Sequence, residues 1–187
     1  MPWHRGVVLK SERELAVMAE AGRINALALK AAMDRVRPGA STAELDQAAA
    51  AVLQAHGANA AFLGYPGAYP YPAVTTISVN DELVHGIPSG RRLRSGDIVS
   101  IDCGSVVDGF IGDSAITIGV GEVSAEAESL MQTTLAALFA GIEQMGPGQR
   151  SGDVSAAIQT VVESAGFNVV REYTGHGVGR QIGRAHV

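Results

Sequence analysis

The chain has 187 residues, of which 47% are hydrophobic and 18% are charged, and its net charge is −5 at pH 7. The length and composition indicate a globular protein with a sizeable core, and the negative charge disfavours nucleic-acid binding as the main role. The sequence contains no apolar run of the roughly 18 residues needed to span a membrane. The single cysteine, Cys103, excludes an internal disulfide and is typical of a reducing compartment. We therefore expect a soluble, cytoplasmic protein.

Two capped helices open the chain. Residues 11–14 (Ser-Glu-Arg-Glu) form a capping box, which predicts a helix that runs to about Arg35. Residues 41–44 (Ser-Thr-Ala-Glu) repeat the signal and predict a second helix that ends near His56. Both helices are rich in alanine, which indicates elements that pack against a core.

A loop rich in tyrosine and proline follows at residues 62–72, with three of the four tyrosines and three of the seven prolines. Its rings could wall an apolar pocket, or the loop could pack rigidly on the core. Residues 74–79 predict a strand, and residues 83–88 place His85 at a strand end before a glycine. A side chain there is open to a ligand, although a structural histidine is the alternative.

Residues 98–118 contain two β-branched runs joined by an Asp-Gly dipeptide, which is typical of a two-residue hairpin turn. In that register Asp102 faces Ala115, and Asp113 faces Gly104. Alternation then places both carboxylates on one face of the sheet as diagonal neighbours, with Cβ atoms roughly 7–8 Å apart. Cations between them would neutralise them, and a hydrogen-bonded or salt-bridged structural pair is the alternative.

Two further helices are predicted after the hairpin. Ser124 caps a helix that runs to about Met145, with its apolar residues on one stripe. A shorter helix begins at Ser151 or Asp153 and ends at Gly166.

Residues 167–172 predict a strand that leads to His176, where glycines on both sides leave the imidazole accessible to a metal. The order helix, helix, strand-rich middle, helix, helix, strand predicts an α+β fold rather than a doubly wound one. Helices then cover one face of a largely antiparallel sheet.

Four stretches together resemble type I methionine aminopeptidases of the bacterial type, and the resemblance runs over residues 11–180. They are residues 83–88 (Leu-Val-His-Gly-Ile-Pro), 96–102 (Gly-Asp-Ile-Val-Ser-Ile-Asp), 109–113 (Gly-Phe-Ile-Gly-Asp) and 175–180 (Gly-His-Gly-Val-Gly-Arg). The resemblance implies the pita-bread (creatinase/aminopeptidase) fold, a curved antiparallel sheet backed by helix pairs. It also implies removal of the N-terminal methionine from nascent proteins.

By the same resemblance, two divalent metal ions are the cofactors. Asp113 would bridge both ions, Asp102 would hold one and His176 the other. His85 would be the catalytic histidine that binds no metal and hydrogen-bonds the substrate near the scissile amide. Carboxylates with imidazole suit Co, Mn, Fe or Zn, so the identity of the metal stays open.

Phe62, Tyr65 and Tyr71 would line the pocket for the methionine side chain, where a thioether meets aromatic faces. Two departures from the family pattern lie near these residues. Residues 66–70 lengthen the aromatic loop, which leaves the alignment of Tyr65 against Tyr71 open, and Ile111 stands where a histidine is common.

The family motif continues with a second histidine and two glutamates, which do not follow Arg180 here. Residues 182–187 instead resemble a translated sequencing adapter, so we predict a non-native tail and do not take His186 for the missing histidine. Residues 1–181 are then the N-terminal and central portion of a single catalytic domain whose C-terminal part is missing. We expect this truncated chain to be inactive and poorly soluble.

Two alternatives remain. A prolidase-like enzyme or Xaa-Pro aminopeptidase would share the metal residues, and a non-catalytic pita-bread protein could serve as a binding module. The partners expected from the resemblance are the N-terminal methionine of nascent polypeptides and, transiently, the ribosome. We expect a monomer with no nucleic-acid substrate and no membrane partner.

Overall fold

The computed structural model describes residues 9–182, which form two compact units. Residues 9–122 and 175–182 make the first unit, and residues 123–174 make the second. The first contains α1 (Glu12–Met33), α2 (Thr42–Ala55), β1 (Asn59–Ala60), β2 (Thr75–Val79), β3 (Ile98–Val107) and β4 (Phe110–Gly119). The second contains α3 (Ala125–Glu143) and α4 (Ser151–Ser164). The chain therefore combines helices with an antiparallel sheet, which confirms the predicted α+β class.

Both predicted capping boxes are present. The Ser11 hydroxyl accepts from the Glu14 N–H, and the Glu14 carboxylate accepts from the Ser11 N–H at 2.9 Å. Ser41 and Glu44 make the same reciprocal pair, with the Ser41 N–H 2.6 Å from the carboxylate. Each box satisfies two backbone donors that a helix N-terminus leaves free, which is why α1 and α2 begin at these residues.

The β3–β4 hairpin has the predicted register. Asp102 pairs with Ala115, and Gly104 pairs with Asp113. The short β1 and the longer β2 pair with the other edge of β3, and β2 brings Thr76 opposite Asp102. All pairings are antiparallel, so the sheet face that carries one aspartate also carries the other.

The core of the first unit lies between the helices α1 and α2 and one face of the sheet. Its buried residues include Ile24, Leu45, Leu53, Ile77, Val79, Val99, Ile101 and Cys103. Along β3, residues 99, 101 and 103 point into this core, so Asp102 points to the opposite face. Burial of Cys103 agrees with a packing role for the thiol.

Polar contacts and a glycine bring α1 close to the sheet. The Ser105 hydroxyl donates to the carbonyl of Ala21 at 2.7 Å, and the Asn25 amide donates to the Ser114 hydroxyl at 2.8 Å. A Cβ atom at Gly112 would lie 2.6 Å from the backbone of α1 at Ala21. Helix and strand therefore approach more closely than a side chain at position 112 would permit.

Two sequence predictions about strands were wrong. Residues 167–172 are irregular, and the Phe167 N–H instead donates to the carbonyl of Val162 at the end of α4. The regular elements among residues 123–174 are both helices, so this segment has no neighbouring strand there with which to form backbone hydrogen bonds. His85 lies in a loop with a φ of 60° rather than at a strand end.

The remaining predictions for the second unit are confirmed. Ser124 caps α3, and α4 begins at Ser151 rather than Asp153. Within residues 9–182, no helix has both the length and the hydrophobicity needed to cross a membrane.

Candidate active site

A cavity of about 390 Å³ in the first unit collects every residue predicted for the site. Its lining consists of Phe62, Tyr65, Tyr71, Thr76, His85, Asp102, Asp113, His176 and Ile182. Thr76 and Ile182 are the two lining residues that the sequence reasoning missed.

The hairpin and a glycine explain why carboxylates and an aromatic ring share this cavity. Asp102 and Asp113 point away from the core because their neighbours along each strand face the helices. Gly104 lies opposite Asp113 on the same face, and a Cβ there would lie 2.7 Å from Ala61 Cβ and 3.1 Å from the Phe62 ring. The missing side chain at Gly104 lets Phe62 pack on the sheet beside the aspartates.

The two aspartates perturb each other. Burial, the negative charge of Asp113 and a hydrogen bond to it raise the pKa of Asp102 to about 7. Burial also raises the pKa of Asp113, although the nearby His176 and the hydrogen bond with Asp102 favour its ionised form. Two buried carboxylates side by side retain a proton unless a cation neutralises them.

His176 faces this pair. Its Nε2 lies 3.7 Å from an Asp113 carboxylate oxygen, and its Nδ1 lies 3.1 Å from the carbonyl of Gly177. In the tautomer with a proton on Nδ1, that proton is donated to the carbonyl and the Nε2 lone pair points toward the carboxylates. A metal-binding imidazole needs this orientation.

The donor set fits a divalent metal. Carboxylate oxygens and an imidazole nitrogen suit Mn, Fe, Co and Zn, and a cation would offset the repulsion between the two partly buried aspartates. Across residues 9–182, no three His, Cys, Asp or Glu side chains converge tightly enough to enclose an ion. Asp102, Asp113 and His176 alone would therefore not enclose an ion.

The loop that carries His85 is tied to β2. The Gly86 carbonyl accepts from the Ile77 N–H at 2.8 Å, and the Gly86 N–H donates to the Ser78 hydroxyl at 3.1 Å. A Cβ at Gly86 would collide with the carbonyl of Ile77. These contacts fix the left-handed backbone of His85 at the cavity wall.

Tyr71 joins the aromatic loop to the histidine loop. Its hydroxyl lies 3.1 Å from the carbonyls of both Thr75 and Gly86 and donates to one of them, while burial raises its pKa to about 12. The Tyr71 N–H donates to the carbonyl of Tyr65 at 3.0 Å, which closes the loop around residues 66–70. Both tyrosines therefore line the cavity although the loop is long.

Thr76 was missed because its position depends on the pairing of β2 with β3. No turn signal fixes that register, since about 20 residues separate the strands. The alternation within residues 74–79 could have shown only that Thr76 and Ser78 share one face of β2. Ile182 falls in the predicted tail, and residues 183–187 of that tail lie outside the described residues.

The stability of the metal-free protein should fall as the pH rises from about 4 to about 7. The Asp102 carboxyl ionises near 3.8 in the unfolded chain but near 7 in the fold. Between these values only the folded state keeps the proton, so each pH unit favours unfolding by up to about 1.4 kcal/mol. Below the unfolded pKa both states are protonated and this penalty is absent.

Denaturant unfolding of chelator-treated protein at several pH values measures this slope. Asp102→Asn is the control and should reduce this slope, because position 102 then has no proton to lose and only Asp113 keeps a pKa raised by burial. If stability instead rose with pH over this range, and did so only when Asp102 was present, the raised pKa of Asp102 would be contradicted.

The family is shown by comparison with known proteins. The model of metallopeptidase family M24 matches residues 16–186. Methionine aminopeptidase 1 of Bacillus subtilis is 46% identical over 176 residues, which cover 94% of this chain and 70% of that protein. Methionine aminopeptidase 1 of Mycobacterium tuberculosis is 46% identical over 185 residues, 95% of this chain and 68% of the relative.

Solved structures agree. Methionine aminopeptidase from Thermotoga maritima superposes with a TM-score of 0.90 at 39% identity, covering 94% of this chain and 70% of that one. Prolidase from Pyrococcus furiosus has a TM-score of 0.82 at 24% identity over 94% of this chain and 50% of that one, which shows a shared fold alone. The fold is therefore the predicted pita-bread fold, and the chain belongs to metallopeptidase family M24, in which its relatives are bacterial methionine aminopeptidases.

Proposed function

We propose that this chain is part of a metal-dependent aminopeptidase that removes the N-terminal methionine from nascent proteins. The observation that carries the proposal is the single cavity that joins two carboxylates and an imidazole to three aromatic rings. The polar end of the cavity suits hydrolysis, and the aromatic end suits a flexible thioether side chain.

Three side chains would hold the metal. As the family resemblance implies, Asp113 would bind two ions, with Asp102 on one and His176 on the other; Asp113 neighbours both of these side chains. When bound, divalent ions there supply an activated water and polarise the scissile carbonyl. Asp102 and Asp113 must give up the proton that they share before they can hold the ions.

The other lining residues position the substrate. His85, on its rigid loop, would hydrogen-bond the scissile amide. Phe62, Tyr65 and Tyr71 would enclose the methionine side chain and exclude water from it.

Residues 1–181 form, in this proposal, the N-terminal and central portion of one catalytic domain. The curated relatives are longer, since the chain covers about 70% of the first of them. We place the remaining carboxylates of the metal shell outside the 187 residues and predict no hydrolysis by this chain alone. We further propose that the whole protein acts in the cytoplasm as a monomer in transient contact with ribosomes, since nascent chains are its substrate.

The test begins with the native reading frame beyond Arg180, which should encode a histidine and two glutamates. The protein from that frame, loaded with Co²⁺ or Mn²⁺, should release methionine from a Met-Ala-Ser tripeptide. It should leave an Ala-Pro dipeptide intact. The 187-residue chain serves as the matched control and should release none.

The results separate the alternatives. Cleavage of Ala-Pro with no release of methionine would favour a prolidase-like enzyme. Metal binding without hydrolysis of either peptide would favour a binding module. The 30–46% identity to methionine aminopeptidases, against 24% to prolidases, favours the methionine substrate.

A further inference from the structure

Arg180 connects three parts of the first unit. Its guanidinium carbon lies 4.1 Å from the centroid of the Phe110 ring, and its Nη2 lies 3.6 Å from a carboxylate oxygen of Glu14. Phe110 is the first residue of β4, and Glu14 lies in the first turn of α1. The same guanidinium lies about 3 Å from the point that a Cβ at Gly109 would occupy.

The segment that holds Arg180 also holds His176. One residue before Arg180, the buried Gly179 accepts a hydrogen bond from the Ile111 N–H at 2.9 Å. Ile111 lies two residues before Asp113 on β4. The backbone of the His176 segment is thus attached to the strand that carries the carboxylate facing His176.

The segment has little else to hold it in the described structure. It forms no regular element beyond an isolated bridge between Val178 and Ile182, and the His176 side chain is 42% exposed. Glycines at 175, 177 and 179 leave its backbone flexible. The segment therefore depends on its contacts with the rest of the first unit, among them the hydrogen bond from Ile111 to Gly179 and the Arg180 side chain.

We infer that Arg180 is a positioning residue for His176: stacked on Phe110 and paired with Glu14, it clamps the segment so that the imidazole faces Asp113. The inference rests on the proposed metal site, in which His176 binds a metal ion. Arginine suits the task because its flat guanidinium can cover an aromatic face and meet a carboxylate at once. Lysine offers no planar group for the stacked contact.

The test compares Arg180→Met, His176→Ala and the double variant with the wild-type chain by calorimetric titration with Co²⁺. Arg180→Met should weaken Co²⁺ binding by about 10-fold, the effect typical of losing a group that orients a ligand. In the His176→Ala background the same change should have no further effect, because the clamp then has nothing to position. Arg180→Lys should show a partial loss.

A second readout needs no metal. Amide hydrogen exchange at Ile111 reports the hydrogen bond to Gly179, and Arg180→Met should accelerate it by about 10-fold or more as the segment loosens. Arg23→Met is the matched control, since Arg23 also pairs with a glutamate on α1, Glu20, but both residues belong to α1, so the pair attaches no other segment. It should change neither measurement.

Two results would overturn the inference. One is an Ile111 exchange rate that Arg180→Met leaves unchanged, and the other is an equal loss of Co²⁺ affinity with and without His176. Failure of the wild-type chain to bind Co²⁺ would instead contradict the proposed metal site, and the Ile111 exchange rate would then decide the clamp alone.

Discussion

Asp113→Asn is expected to lower the affinity for Co²⁺ or Mn²⁺ by more than about 100-fold. Loss of a group that only orients a metal ligand typically lowers metal affinity by about 10–100-fold, and in our proposal Asp113 is itself the central metal ligand. It contacts Asp102 on one side and lies 3.7 Å from His176 on the other. Asparagine keeps the shape but has one acceptor oxygen and no charge. Calorimetric titration measures the loss, and methionine release by the complete protein should fall by a similar factor.

The same substitution should not destabilise the metal-free fold. Burial raises the pKa of both aspartates, and the charge of Asp113 raises the pKa of Asp102 further, so removing the Asp113 charge relieves a cost at neutral pH. The unfolding midpoint of metal-free Asp113→Asn should therefore equal or exceed that of the wild type. Loss of function with a retained fold distinguishes a metal ligand from a structural carboxylate.

His85→Ala is the contrasting variant. We place His85 against the substrate rather than the metal, so metal affinity should be retained while methionine release falls. If Asp113→Asn released methionine as fast as the wild type, the metallopeptidase mechanism would be contradicted. Equal loss of metal binding in both variants would contradict the separate roles of the two residues.

Gly112→Ala should destabilise the protein by about 3 kcal/mol, at the upper end of the cost of overpacking a core. The new Cβ would lie 2.6 Å from two backbone atoms of α1, the carbonyl carbon of Ala21 and the nitrogen of Gly22. Helix backbone cannot yield as a flexible side chain can, so α1 must move away from the sheet. The contacts of Ser105 and Asn25 with α1 and the sheet would weaken together.

Thermal unfolding measures the effect as a midpoint lower by roughly 6–12 °C. Gly22→Ala is the matched control, because a Cβ at Gly22 meets nothing within 4 Å. In the middle of α1 it should stabilise by about 0.5–1 kcal/mol through the better helix propensity of alanine. If both substitutions shifted the midpoint alike, the close approach of α1 to β4 would not control stability.

Local signals determined much of this fold. The Asp-Gly turn fixes the β3–β4 register by itself, because a two-residue loop leaves no freedom in the pairing. That register places Asp102 and Asp113 on one face without any other contact. The capping boxes of α1 and α2 are equally local, since their partners lie three residues apart.

The family resemblance extended the prediction beyond local signals. It grouped His85, His176 and the three aromatic residues, and the cavity contains them all. The lengthened loop left the alignment of Tyr65 and Tyr71 open. The structure shows both at the cavity because a hydrogen bond between their backbones closes the loop.

By itself, then, the sequence determined the elements whose partners lie close along the chain, and the donor types that suit a metal. Tertiary structure alone decided which distant surfaces meet: Thr76 against Asp102, α1 against Gly112, and Arg180 over Phe110. It also decided that residues 167–172 form no strand, although their side chains favour one. The reason is physical, since strand pairing and close packing need a partner surface that only the folded chain supplies.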